Sequence, residues 1–123
     1  MKTGEQVKNR ALQLLNYTDG QGRLDAQMYT DVTARVLPLI NQIYSDVWYG
    51  LYDEGFEELG AITDTLQLPE RVVNEVMPYG VAMLMAQTLG DADNQSLMAT
   101  YYNRKRASLT HPRTRKDVMP YAV

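Results

Sequence analysis

The chain has 123 residues, 45% of them apolar, a net charge of −3 and no cysteine. That length and apolar share specify one globular domain with a hydrophobic core and argue against wholesale disorder. The lack of cysteine excludes disulfide scaffolds, thiolate metal sites and cysteine nucleophiles, and it fits a cytosolic history.

The charge is unevenly spread. Residues 1–103 carry six Lys/Arg against fourteen Asp/Glu, whereas residues 104–123 carry six Lys/Arg against Asp117 alone. An acidic body with a basic end implies an acidic partner for that end: another copy, a different protein or nucleic acid. The longest apolar run, Val76 to Ala86, includes Pro78, Tyr79 and Gly80. It is well short of the roughly 20 residues of a membrane span, and Met1 to Glu5 precede no apolar signal segment, so a soluble protein without a leader is expected.

Residues 3–16 predict a first helix. Thr3 and Gln6 have capping-box spacing, and Val7, Ala11, Leu14 and Leu15 share one face, leaving Gln6, Lys8, Asn9 and Gln13 on the other. Asp19-Gly20-Gln21-Gly22 is a turn. Asp25 can cap a second helix whose apolar stripe runs through Met28, Val32, Val36, Leu39, Ile40, Ile43 and Val47. A second row, Tyr29, Leu37, Tyr44, Trp48 and Leu51, widens that stripe. Pro38 predicts a kink near residues 35–37, because proline removes a backbone donor and crowds the preceding turn.

Gly50, Gly55 and Gly60 punctuate the stretch after Tyr49 as helix breakers, around the acidic cluster Asp53, Glu54, Glu57 and Glu58. Residues 59–66 predict a short strand or extended segment, and an unpaired edge there predicts pairing with a neighbouring chain. Pro69, at the first helical position, and Glu70 start a third helix, with Val73, Val76, Met77, Gly80, Val81 and Leu84 inward. Pro78 predicts a bend, and Gly80, Ala82 and Ala86 allow close backbone approach. Gly90 ends this helix, and Asp91 or Asp93 starts the last one. Leu97, Tyr101 and Lys105 form one row there, and Met98, Tyr102 and Arg106 the next. The cations Arg104, Lys105 and Arg106 compensate the helix dipole at its C-terminus.

The expected fold is all-α: a compact bundle of about four helices over residues 1–109, kinked at Pro38 and Pro78, and an extended tail over 110–123. The tail ends in the apolar stretch Val118-Met119-Pro120-Tyr121-Ala122-Val123, which suits a docking peptide.

No catalytic constellation is present, and neither enzyme chemistry nor a cofactor is expected. His111, the only histidine, lies beside Pro112 in the tail. Asp53, Glu54, Glu57 and Glu58 lack EF-hand spacing and read as a solvated turn, not a cation site. Gly20 and Gly22 fit neither the P-loop nor the dinucleotide pattern. The methionines Met77, Met83, Met85 and Met98 read as packing, and the nine tyrosines lean toward interfaces. A helix-turn-helix over 85–106 is disfavoured, because its reading helix would open with Asp91, Asp93, Asn94 and Gln95 against phosphates.

The order of several short motifs nevertheless resembles the small head–tail connector proteins of tailed bacteriophages, also called adaptor or head-completion proteins. They are the ALQLLNYTD stretch ending at Asn16-Tyr17-Thr18-Asp19, Leu37-Pro38-Leu39-Ile40-Asn41-Gln42 with Asp46-Val47-Trp48, and Leu66-Gln67-Leu68-Pro69. Met77-Pro78-Tyr79-Gly80-Val81-Ala82, Leu89-Gly90-Asp91 and Tyr101-Tyr102-Asn103-Arg104 complete the set, and the resemblance covers roughly residues 5–109. It implies a structural virion protein of the phage neck, assembled in the host bacterial cytoplasm. Such a subunit forms a homo-oligomeric ring, commonly twelve-fold, that joins portal to tail or neck proteins. The ring extends a channel through which packaged DNA passes without sequence-specific binding, and no membrane is involved.

The resemblance places portal docking on the tail, here Arg113, Arg115, Lys116, Val118, Met119 and Tyr121. A head-to-tail ring needs two complementary faces. Asp53, Glu54, Glu57 and Glu58 offer one, and Arg104, Lys105 and Arg106 the other. A subunit that is monomeric in isolation is compatible with this role. A small helical DNA-binding regulator is the alternative.

Overall fold

The computed structural model describes residues 2–15 and 34–109. The turn expected at 19–22, the expected cap and stripe at Asp25, Met28, Tyr29 and Val32, and the tail 110–123 lie outside the described residues.

The architecture is all-α. The described helices are α1 (Gly4–Leu15), α2 (Val36–Leu51), α3 (Glu70–Glu75), α4 (Met77–Leu89) and α5 (Ala92–Ala107). No helix among them is long and apolar enough to cross a membrane.

Helix α4 is the hub. It touches α1, α2, α3 and α5, and it is apolar on nearly every side. A helix hydrophobic all round is stable only when surrounded. Met77, Val81, Ala82, Met85 and Ala86 are accordingly sealed from solvent. Gly80 is the tightest crossing. A Cβ there would lie 2.8 Å from the Tyr102 ring and 2.9 Å from two carbons of Ile43. Only glycine lets α2, α4 and α5 meet at this point.

Proline breaks the rods two to three residues before its own position. Val76, with φ −113° and ψ −53°, separates α3 from α4, and Pro78 sits in the first turn of α4. The bend expected at Pro78 therefore falls at Val76. The ring crowds the preceding turn, while the missing N–H costs nothing at a helix start. Pro38 is likewise in the first turn of α2, after Arg35 at φ −118°. Pro69 is the N-cap of α3, one position before the expected one.

Three sequence expectations need correction. Lys8 is buried, not on the outer face of α1. It lies beside Leu12 and Leu15, which are buried with Val7 and Ala11, so its aliphatic stem follows the apolar stripe. Leu12 takes the core place expected for Leu14, which is only half-buried. Gly50 does not break α2. It is a buried helical position, with a virtual Cβ 3.9 Å from the Arg106 guanidinium.

The extended segment is also resolved differently. Thr65 pairs antiparallel with Thr3 of the same chain, not with a neighbour. Leu66 N–H donates to the Lys2 carbonyl at 2.9 Å. Glu5 N–H donates to Ile62 O at 2.7 Å and Gly4 N–H to Asp64 O at 3.4 Å. The first amides of a helix have no partner within it, so this segment completes the start of α1. The Thr3–Gln6 capping box forms beside it, with Thr3 N–H donating to Gln6 Oε1 at 3.0 Å. Gly90 closes α4 at φ 74°, and Asp91 caps α5 by accepting from Asn94 N–H at 3.1 Å.

Candidate functional site

The two clusters singled out by charge are held on opposite flanks of α2. Asp46 and Gly50 face α5, while Asn41, Tyr44 and Trp48 face the loop at 53–60. At about 100° per residue, Asp46 and Trp48 point about 200° apart around the axis.

On the first flank, the Asp46 carboxylate gathers α5. Its Oδ2 accepts from the Tyr102 hydroxyl at 2.5 Å and from Arg106 Nε at 2.6 Å. The guanidinium also donates to the Asp46 carbonyl at 3.3 Å. Tyr102 and Arg106 are four residues apart on a helix and so share a face. Tyr102 is 3% exposed, whereas the Asp46 and Arg106 side chains keep 43% and 31% exposure. Burial, then the hydrogen bond and charge of Asp46, push the Tyr102 hydroxyl far above its ordinary value, and Arg106 pulls the other way. This hydroxyl stays protonated and serves as a structural donor.

Lys105 lies with its ammonium 4.8 Å from the centroid of the Tyr79 ring, and Tyr101 stacks edge-on against the same ring. Arg104 is exposed. The three expected interface cations thus divide. Arg106 is committed within the subunit, Lys105 rests on an aromatic face, and Arg104 points outward.

On the second flank, the acidic loop is pinned by apolar and amide contacts. Phe56 sits between Tyr44 and Tyr49, with ring centroids 5.2 and 6.1 Å away. Trp48 Nε1–H donates to Glu54 O at 2.9 Å. Asn41 uses both ends of its amide on Leu59, donating to the carbonyl at 3.0 Å and accepting from the N–H at 2.7 Å. Asp64 Oδ2 accepts from Gly60 and Ala61 N–H, both at 3.0 Å. Asp53, Glu54, Glu57 and Glu58 stay exposed around this anchor. Among the described residues, no group of three or more His, Cys, Asp or Glu side chains is placed to hold a metal ion.

Between the flanks, at the end of α2, lies a groove of about 720 Å³. Leu51, Tyr52, Val72, Val76 and Leu109 supply its apolar walls, and Arg71, Glu75 and Lys105 its charged ones. Arg71 and Glu75 are bonded to each other at 3.0 Å. The exposed large apolar side chains among the described residues are Tyr49 and Tyr52 at α2 and Leu97 and Tyr101 on α5.

The expected docking residues Arg113, Arg115, Lys116, Val118, Met119 and Tyr121 lie outside the described residues. Sequence reasoning missed Asp46 as the anchor of α5. The available signal was a lone carboxylate beside Ile43 and Val47 on an apolar stripe, matched by a Tyr102–Arg106 pair at helical spacing. No family model, curated protein or solved structure matches this chain.

Proposed function

We propose that this chain is a non-enzymatic, ring-forming adaptor of the phage neck that joins portal to tail and extends the DNA channel. The observation that carries the reading is the pair of oppositely charged flanks. A cyclic ring needs two different, mutually complementary faces on each subunit. The rigidly pinned acidic loop at 53–58 is one, and Arg104 and Lys105 at the end of α5 are the other. The helical fold and the order of connector-like motifs along residues 5–109 agree with it. Arg106 is better assigned to holding α5 in place than to meeting a neighbour.

The test is co-expression with a phage portal protein taken from the same genome, followed by pull-down and negative-stain imaging. A ring stacked on the portal supports the adaptor role and reads out its symmetry. Absence of binding at every salt concentration overturns it. Tight, salt-sensitive binding of the isolated chain to duplex DNA transfers the assignment to a DNA-binding regulator. Removal of residues 110–123 is expected to preserve the helical signal and abolish portal capture. Capture by the truncated chain removes the tail from the docking role.

A further inference from the structure

We propose that the groove at the ends of α2, α3 and α5 holds Val118 to Val123 of the chain's own C-terminal segment when no other partner has captured that segment. The groove is a concave apolar surface large enough to bury several side chains. Three features select this occupant.

The first is where the chain leaves the described structure. Leu109 is itself a groove wall, so residues 110–123 start at the groove's edge. The second is spacing. Residues 110–117 are polar or charged apart from Pro112, whereas 118–123 carry no charged side chain. Eight residues are an ordinary connection for a chain that reverses on itself. A segment tethered this way meets its groove at an effective concentration in the millimolar range, far above that of a second copy in dilute solution.

The third feature is charge. The connecting stretch carries Arg113, Arg115 and Lys116. The groove wall Tyr52 leads directly into Asp53 and Glu54, which places the acidic loop at the groove's rim. Of the two groove cations, Arg71 is already bonded to Glu75, and Lys105 lies over the Tyr79 ring. The cationic stretch therefore has a carboxylate rim to cross while its apolar end enters the groove. The inference does not depend on the adaptor role. Where that role holds, portal capture has to draw the segment out of the groove.

The native chain has no cysteine, which makes cross-linking clean. In the full-length chain, Val72→Cys with Met119→Cys is expected to form an intramolecular disulfide at least about tenfold faster than Gln87→Cys with Met119→Cys. Equal rates, or disulfide-linked dimers in place of monomers, overturn the proposal. The Met119 methyl resonance of the otherwise native, ¹³C-labelled full chain is an independent readout. It is expected away from the position of an unstructured methionine, and to move to that position in Leu51→Asp. An unstructured Met119 signal in the parent chain overturns the proposal even where a cysteine variant fails to fold.

Discussion

Asp46, Tyr102 and Arg106 form a unit whose energy can be measured by a double-mutant cycle. A hydrogen bond to a charged group contributes about 1.5–3 kcal/mol. Tyr102→Phe keeps the ring and opens no cavity. Asp46 retains Arg106 and is 43% exposed, so water compensates in part. The expected loss is at the low end, about 1.5 kcal/mol. Asp46→Ala strands the hydroxyl of a residue only 3% exposed and frees Arg106, at a cost of about 2.5 kcal/mol. In the double variant no hydroxyl remains to be stranded. Its loss is therefore expected at about 3 kcal/mol instead of the additive ~4, a coupling of about 1 kcal/mol. Urea unfolding followed by helical circular dichroism near neutral pH reads each value, with midpoint shifts on the order of 1–2 M. Strictly additive losses, or a neutral Tyr102→Phe, would refute the claim that this carboxylate holds α5 through the hydroxyl.

Other outcomes follow from neighbouring geometry. Gly80→Ala gains about 1 kcal/mol of helix propensity but drives a methyl into Tyr102 and Ile43, so thermal unfolding is expected to show net destabilisation of about 1 kcal/mol. Asn41→Asp keeps the bond from Leu59 N–H but turns a carboxylate oxygen onto the Leu59 carbonyl. It is expected to cost about 2 kcal/mol and to raise proteolysis in the 53–60 loop, whereas Asn41→Gln is expected to be milder. The Tyr102 hydroxyl holds its proton more tightly in the folded chain than at its ordinary value of 10.0. Its contribution is therefore complete below that value and drains away as pH rises above it. The gap in urea midpoint between the native chain and Tyr102→Phe should narrow from about pH 9 to about pH 11. A gap that widens instead would reverse the assigned direction of the shift.

Helix identity was legible because its signals are local. The Thr3–Gln6 box, Gly90 after Leu89 and Asp91 three residues before Asn94 each act within one turn, and each forms. Periodicity also placed Val73, Met77, Val81 and Leu84 in the core. What escaped depends on residues distant in sequence. Gly50 reads as a breaker until Arg106, fifty-six positions later, is seen packed over it inside the helix. Lys8 escaped for a different, local reason: its charge reads as solvated, whereas its long aliphatic stem shares the buried stripe of Leu12 and Leu15. The 59–66 segment points to another chain as its partner, because nothing near it in sequence can pair with it. Its partner is Thr3. The charged clusters were visible as composition, but their separation onto opposite flanks of α2 is a property of the fold alone.

The debt of α1 to residues 62–66 bears on synthesis. A ribosome makes α1 before residues 62–66, yet twelve residues form a marginal helix by themselves. The carbonyls that complete its leading turn belong to Ile62 and Asp64. This helix therefore emerges before the residues that complete it, and a nascent chain arrested before residue 66 should hold an α1 that exchanges its amides freely.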